Sequence, residues 1–263
     1  MTDLFSMFAP SRDSEQLSYG MAGELKKTQY VLELVGDPHD PATLKCVLTA
    51  AEQGMEMNCY SLSRPLNAQV KQALSKISPF CVTPCLREAD YLVCGGAAIT
   101  EFINARGLGY SLTPQNAMLA AIQDYWVDIA SNHLDDLVRH LINEQMGNCR
   151  KQRQHSPNQT LLNQLSKQIS IYFELLNQQL EHNKFIVCNK YTWADLHWTV
   201  YAHLCEVMGC ADLIERYENV SGWMQMIKGR KSACGQDIVA YDLLPDKEQI
   251  LKSEMDSVKI IDY

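Results

Sequence analysis

The chain has 263 residues, of which 46% are hydrophobic and 21% charged, and its formal net charge at pH 7 is −8. This balance is typical of a folded globular protein with room for two ordinary domains. The acidic charge argues against a nucleic-acid-binding protein, because phosphate contacts require an excess of basic side chains.

The predicted elements begin after an aperiodic polar stretch, residues 1–27, which we interpret as an N-terminal extension. A β-favouring run over 30–35, a helical pattern over 41–53 and a second β-favouring run over 57–62 predict a strand, a helix and a parallel strand. This spacing is typical of a βαβ unit. A polar helix is predicted over 67–76.

A β-hairpin is predicted next, with strands over 83–86 and 91–94 joined by a turn over 87–90. An apolar helix over 97–104 follows it. Together with the preceding elements this gives the order βαβαββα.

The hydrophobic period is helical through most of the remaining sequence. Helices are predicted over 114–146, 161–180, 192–208, 211–217 and 220–229. The chain is therefore predicted to have four parts: an extension (1–27), an α/β domain (28–107), an all-helical domain (114–240) and a C-terminal tail (241–263).

The cysteines indicate the chemistry of the compartment. Ten are scattered along the chain without the paired clusters of a zinc site. We therefore expect free thiols, no metal site, and a cytoplasmic or other reducing compartment. The first residues lack the pattern of a secretory signal, and no apolar run approaches the roughly 20 residues of a membrane span, so neither feature is expected.

Three short segments resemble motifs of one known family. Residues 77–86 are similar to a hairpin motif that carries a cis-proline, which falls on Pro84. Residues 93–99 are similar to a helix start that carries a Glu-Ser pair. Thr192 and Asp195 occupy the two positions of a helix capping box. By these motifs, in this order, the chain resembles the soluble glutathione transferase superfamily, which implies a thioredoxin-like N-terminal domain followed by an all-helical C-terminal domain.

The resemblance also implies a catalytic position at the start of the first helix, where a hydroxyl or thiol stabilises the glutathione thiolate. That position holds Asp40, whose carboxylate accepts hydrogen bonds and repels a thiolate. Thr43 is a second candidate because its hydroxyl can donate, although a helix-surface threonine is the alternative. His39 is a third, as a base, although a solvated turn histidine is the alternative.

The family's binding positions are altered as well. The backbone of Thr83, next to Pro84, would pair with the cysteinyl part of glutathione. Gly95 and Gly96 occupy the positions of the Glu-Ser pair that binds the γ-glutamyl end, so only backbone N–H groups remain there. Each lost charge-assisted bond costs roughly 1.5–3 kcal/mol, so we expect poor glutathione binding. No cofactor is assigned with certainty, and glutathione or a different ligand stays open.

Two other groups of side chains have alternative interpretations. Cys81 and Cys85 flank the predicted cis-proline and are either reactive thiols or buried spacers. Four aromatic residues of the helical domain either pack in its core or line an apolar cleft: Tyr125, Trp193, Trp198 and Tyr201.

Two functions remain open at this stage. In the first, the chain has a degenerate glutathione site and acts mainly as a protein-interaction or structural subunit, paired with another protein or with a second copy of itself. In the second, it is an active but divergent glutathione transferase or thiol-dependent isomerase with a rewired site.

Overall fold

The computed structural model of the chain describes residues 32–61, 80, 82–88, 91–107, 109–151 and 157–230. The predicted extension, the predicted helix over 67–76, the tail and Cys81 lie outside the described residues. The predicted domain boundaries stay a prediction.

The N-terminal part of the described chain is a mixed sheet covered by helices. Its elements are β1 (Leu32–Gly36), α1 (Pro41–Glu52), β2 (Met57–Ser61), β3 (Cys85–Glu88), β4 (Tyr91–Cys94) and α2 (Gly96–Arg106). The described strands lie in the order β2-β1-β3-β4, with β1 parallel to β2 and antiparallel to β3. The parallel pair joined through α1 is the predicted βαβ unit, and α1 begins with proline at a position where no N–H is needed.

The hairpin differs from the prediction at its turn. We predicted a turn over 87–90, but β3 continues through Arg87 to Glu88, which pairs with Tyr91 of β4. The physical reason is a cross-strand ion pair: Arg87 lies opposite Glu33 of β1, and its guanidinium is 2.5 Å from the Glu33 carboxylate.

The C-terminal part of the described chain is helical. Its elements are α3 (Ala117–Ile129), a π-helical segment (Ala130–Leu134), α4 (Asp135–Lys151), α5 (Gln159–Leu180), α6 (Trp193–Val207), α7 (Asp212–Glu215) and α8 (Glu218–Lys228). Each predicted helix is present with small shifts of its ends. None of the described helices is both long and apolar enough to cross a membrane.

The buried side of α3 differs from the side that the sequence pattern favoured. The helical hydrophobic period over 114–146 includes Met118 and Tyr125, but their side chains are 70% and 62% exposed. The core instead takes the other edge of a wide apolar stripe, with Trp126, Ala130 and Leu134 buried. These three residues run from the last turn of α3 to the end of the π-helical segment. That segment changes which side of the helix faces the core.

α1 connects the two halves of the structure because it packs on both sides. Cys46, Val47 and Ala50 pack with the sheet and α2. Leu44 and Leu48 pack into the core of the helical part. The N-terminus of α1 therefore lies where the sheet meets the helices, and this position determines the surroundings of the candidate site.

Candidate functional site

The loop before β3 has the cis geometry at the predicted position: the Thr83–Pro84 peptide bond is cis. Pro84 is buried, and its carbonyl oxygen accepts a 2.8 Å hydrogen bond from the Gly95 N–H. The cis-proline loop and the start of α2 are thus joined directly. The residues assigned to the cysteinyl part and to the γ-glutamyl end of glutathione therefore lie close together in space.

The structure explains why both positions at the start of α2, 95 and 96, hold glycine. Gly95 has φ +94°, a conformation that residues with a Cβ rarely adopt. A Cβ on Gly96 would come within 2.8 Å of the Ala42 Cβ, so its absence lets α1 and α2 pack closely. A glutamate and a serine at these positions would meet strain and a steric clash, respectively.

Asp40 lies at the N-cap of α1, with its side chain only 8% exposed. Its carboxylate does not cap the helix but faces α4. Arg139 Nη1 donates to Asp40 Oδ1 at 2.6 Å, and the Thr43 hydroxyl donates weakly to Asp40 Oδ2 at 3.4 Å. The negative charge predicted to face a ligand is therefore compensated by a guanidinium from the helical part.

This ion pair is the first contact of a longer chain of polar contacts, which we call the interdomain network: Asp40, Arg139, Asp135, Tyr201 and Lys45. Arg139 Nε donates to Asp135 Oδ2 at 2.5 Å, and Tyr201 donates to Asp135 Oδ1 at 2.9 Å. Lys45 Nζ, on α1, donates to the Tyr201 hydroxyl at 2.8 Å. Two cations and two carboxylates compensate one another, and the network links α1 to α4 and α6.

Burial changes the proton affinity of several network groups. It lowers the pKa of Lys45 to about 8, although the charge of Asp135 opposes the change. It raises the pKa of Tyr201, with Asp135 acting in the same direction. Burial alone would lower the pKa of Arg139, but Asp40 and Asp135 together raise it. The guanidinium therefore stays charged, and the tyrosine stays protonated.

The other two catalytic candidates, Thr43 and His39, contact neighbouring groups of the fold. Thr43 is fully buried, and the position where Gly36 would carry a Cβ lies 2.5 Å from the Thr43 hydroxyl oxygen. Thr43 thus packs over the end of β1 instead of lying on the helix surface. His39 belongs to the turn before α1, where its Nδ1 lies 3.6 Å from Asp37 Oδ1. The structure brings Asp40 and Thr43 together and directs both inward.

The capping box is present at the start of α6. Asp195 Oδ2 accepts hydrogen bonds from the Thr192 N–H at 2.9 Å and from the Thr192 hydroxyl at 3.0 Å. Asp195 Oδ1 accepts from the Ile186 N–H and from Trp223 Nε1, each at 3.0 Å. Burial raises the pKa of Asp195, and these four donors oppose that change. The residue therefore holds α6, α8 and the preceding loop together in the core.

The remaining candidates mostly belong to the core. Trp198 and Tyr201 are fully buried, and Trp198 Nε1 donates to the Trp126 carbonyl oxygen at 3.0 Å. Tyr125 is 62% exposed on α3 and so lies outside the core. Cys85 is a buried thiol whose Sγ lies 3.2 Å from the Val82 carbonyl oxygen.

Sequence reasoning missed Arg139, Asp135 and Lys45. The spacing of four residues between Asp135 and Arg139 is a signal for a helical ion pair, which the sequence does contain. Nothing in the local pattern indicates that the same guanidinium also reaches Asp40, 99 residues away. Lys45 gave no signal because a lysine on an amphipathic helix is ordinarily solvated.

Comparison with known proteins agrees with this architecture. Residues 140–232 match the family described as glutathione S-transferase, C-terminal domain. Over 202 residues the chain is 22% identical to glutathione S-transferase F13 of Arabidopsis thaliana, covering 76% of this chain and 91% of that protein.

Solved structures share the fold at low identity. Glutathione transferase F7 from Populus trichocarpa superposes with a TM-score of 0.68 at 21% identity, covering 80% of this chain and 98% of that one. FzlA from C. crescentus superposes with a TM-score of 0.70 at 16% identity, covering 80% and 92%. Such identities establish a common fold and leave the chemistry of the site to be argued from its residues.

Proposed function

The chain is a divergent, glutathione-transferase-like protein with the fold of that superfamily, and from this premise we propose that its glutathione site is degenerate. We further propose that it acts mainly as a protein-interaction or structural subunit of a larger assembly, in the cytoplasm or another reducing compartment. Its partner is then another protein or a second copy of the chain.

The observation that carries the proposal is the ion pair between Asp40 and Arg139 at the N-terminus of α1. A thiolate at that helix end needs a hydrogen-bond donor, as a serine or tyrosine hydroxyl supplies. Asp40 offers only acceptor oxygens, and these are already occupied by Arg139 and Thr43. The local polar groups thus satisfy one another, which removes the usual reason for a bound thiolate to be stable there.

The start of α2 supports the same proposal. Gly95 and Gly96 offer no side-chain group to a γ-glutamyl carboxylate or amine, and the fold favours glycine at both positions. Losing one charge-assisted hydrogen bond weakens binding by roughly one to two decades. Two such losses leave a glutathione complex that is too weak for ordinary transferase turnover.

Two observations favour an active but divergent transferase or thiol-dependent isomerase. The Arg139 side chain is 41% exposed and reaches the start of α1, so its guanidinium is a cation near the place where a thiolate would lie. The cis bond between Thr83 and Pro84 also keeps the backbone geometry that a cysteinyl group would pair with. In this alternative, Arg139 replaces the missing hydroxyl.

Calorimetric titration of glutathione into the purified chain tests the degenerate site. We expect a dissociation constant of about 1 mM or weaker and no turnover of chlorodinitrobenzene. Asp40→Ser replaces the acceptor by a donor and should strengthen binding by at most about tenfold, because the glycines at the other end are unchanged. Asp212→Ser, on the exposed surface, is the matched control and should leave binding unchanged.

Micromolar binding with turnover that Arg139→Met abolishes would instead establish the alternative. The subunit role is tested separately, by the mass of the native particle that contains the chain in its own cells. We expect a stoichiometric complex larger than the single chain. A chain found only as a monomer would refute the subunit role even if glutathione did not bind.

A further inference from the structure

Two cysteines lie directly opposite each other on the hairpin that β3 and β4 form. Cys85 is the first residue of β3 and Cys94 is the last residue of β4, and the register of the sheet pairs them across the two strands. Both side chains carry thiols in this structure. The register of the strands therefore brings together two thiols that have no motif spacing along the sequence.

The hydrogen bonds of the hairpin determine how close the two cysteines are. The Gly95 N–H donates to the Pro84 carbonyl oxygen at 2.8 Å, directly beside the cysteine pair. In an antiparallel ladder, hydrogen-bonded pairs alternate with pairs that exchange no backbone hydrogen bonds, and the two cysteines form a pair of the second kind. The Cα atoms of such a pair lie about 4.5 Å apart, which is at the short end of the range of about 4.4–6.8 Å that a disulfide spans.

Both cysteine side chains lie on the same face of the sheet, because directly opposed residues point the same way. The next pair, Leu86 and Val93, packs with the helices α1 and α2, so the cysteines face the other side. Cys85 is only 4% exposed, whereas Cys94 is partly exposed. A reagent in solution therefore reaches Cys94 first, and Cys85 is the second thiol beside it.

We propose that Cys85 and Cys94 form a reversible disulfide when the chain meets a low-molecular-weight disulfide such as oxidised glutathione. The Cys94 thiolate attacks one sulfur of that molecule, which forms a mixed disulfide and releases one glutathione thiolate. The Cys85 thiolate then attacks the Cys94 sulfur and releases the second glutathione. The two protein thiols lose two electrons and two protons, and the oxidised glutathione takes up both to become two thiols.

The geometry makes this disulfide easy to reduce. A Cα separation at the short end of the range strains the bond, and strained disulfides are reduced more readily than structural ones. Oxidation also changes the loop before β3, because the Cys85 thiol loses its hydrogen and with it the 3.2 Å contact to the Val82 carbonyl oxygen. The reaction requires no glutathione bound at the start of α1, so it does not depend on the proposed function.

Peptide mapping of the full chain tests the proposal. The reduced, native protein is incubated with oxidised glutathione, the remaining thiols are alkylated, and the chain is cut after lysine and arginine. These cuts place Cys85 in the peptide 77–87 and Cys94 in the peptide 88–106, so the disulfide joins two peptides. We expect the linked peptides as the main product, and a roughly hundredfold excess of reduced glutathione should release them.

Two variants separate the steps of the reaction. Cys85→Ala removes the second nucleophile and keeps the buried position apolar, so the mixed disulfide at Cys94 should accumulate instead of the linked peptides. Cys94→Ser should lower the addition of glutathione to Cys85 by about tenfold or more, since Cys85 is buried. Cys188→Ser, which replaces another partly exposed thiol, is the matched control and should leave the linked peptides unchanged.

Three outcomes would overturn the proposal. In the first, glutathione adds equally to Cys94 and Cys188 and no linked peptides form in the native chain, whose fold circular dichroism checks. In the second, the link is lost in Cys81→Ser, which shows that Cys81 of the same peptide is the partner of Cys94. In the third, the Cys85–Cys94 link forms but resists the excess of reduced glutathione.

Discussion

The pairing of Asp40 with Arg139 can be measured directly, and its strength follows from the geometry. The two charged groups are 2.6 Å apart at their nearest atoms, with side-chain exposures of 8% for Asp40 and 41% for Arg139. Opposite unit charges about 4 Å apart in a medium of effective dielectric about 20 attract by about 4 kcal/mol. Desolvation and screening at the exposed guanidinium reduce this attraction. We therefore expect a coupling energy of about 2 kcal/mol, which lies between the values typical of exposed and of buried ion pairs.

A double-mutant cycle with Asp40→Asn and Arg139→Met isolates this coupling. Asp40→Asn should cost about 2 kcal/mol of unfolding free energy, because Arg139 keeps its contact with Asp135. Arg139→Met should cost about 3 kcal/mol, because two largely buried carboxylates lose their counter-ion. The combined variant should then cost about 3 kcal/mol instead of the sum of the two.

Denaturant titration gives these unfolding free energies by linear extrapolation. The control cycle uses the pair Asp212–Arg216, which lies on α7 and at its C-terminal end. The two side chains are 67% and 46% exposed, so their coupling should stay below about 0.5 kcal/mol. If the Asp40–Arg139 coupling were as small as that of the control, the carboxylate would not be held by Arg139. The polar groups at the start of α1 would then not satisfy one another.

Two further predictions concern the helical part. Asp195→Asn places an amide N–H toward the N–H and hydroxyl of Thr192, which are themselves donors. The substitution should therefore lower the unfolding free energy by about 3–4 kcal/mol. A loss below about 1 kcal/mol would contradict the hydrogen-bond pattern at the start of α6. Burial, together with the charge of Lys45, lowers the pKa of His197 well below its usual value of 6.5. Stability from this group is complete above pH 6.5 and is lost as the pH falls toward its folded pKa. Below pH 6.5 the unfolding free energy should therefore decrease by up to about 1.4 kcal/mol per pH unit more than in His197→Gln, and parallel curves would refute this.

The sequence predicted most of the fold because its elements carry local signals. The β-favouring runs and the helical hydrophobic period depend on neighbouring residues, and they indicated an α/β domain followed by a helical one. The resemblance of three short motifs then implied that the α/β domain is thioredoxin-like. The errors occurred where two local solutions compete. On α3 the apolar stripe is wide enough for either edge to face the core, and the edge containing Trp126 is buried while Tyr125 is exposed. At the hairpin, the pairing of Arg87 with Glu33 extended a strand where a turn was predicted.

The candidate site was predicted only in outline. Asp40, Pro84 and Gly95 were identified by their place in a motif, and the structure brings their segments together around the start of α1. Their interactions were not predictable in the same way. The sequence contains no sign that Asp40 is held by a guanidinium, and the role assigned to its charge changes once Arg139 compensates it.

By itself the sequence determined which segments are strands and helices, where the cis-proline lies, and which residue types stand at the family's positions. Only the tertiary structure decided which charges meet, since Arg139 reaches Asp40 across 99 residues and Lys45 reaches Tyr201 across 156. The physical reason is the range of each interaction. Backbone conformation and amphipathic period are set within a few residues, whereas a buried charge is stabilised by whichever helix the packing of the core brings beside it.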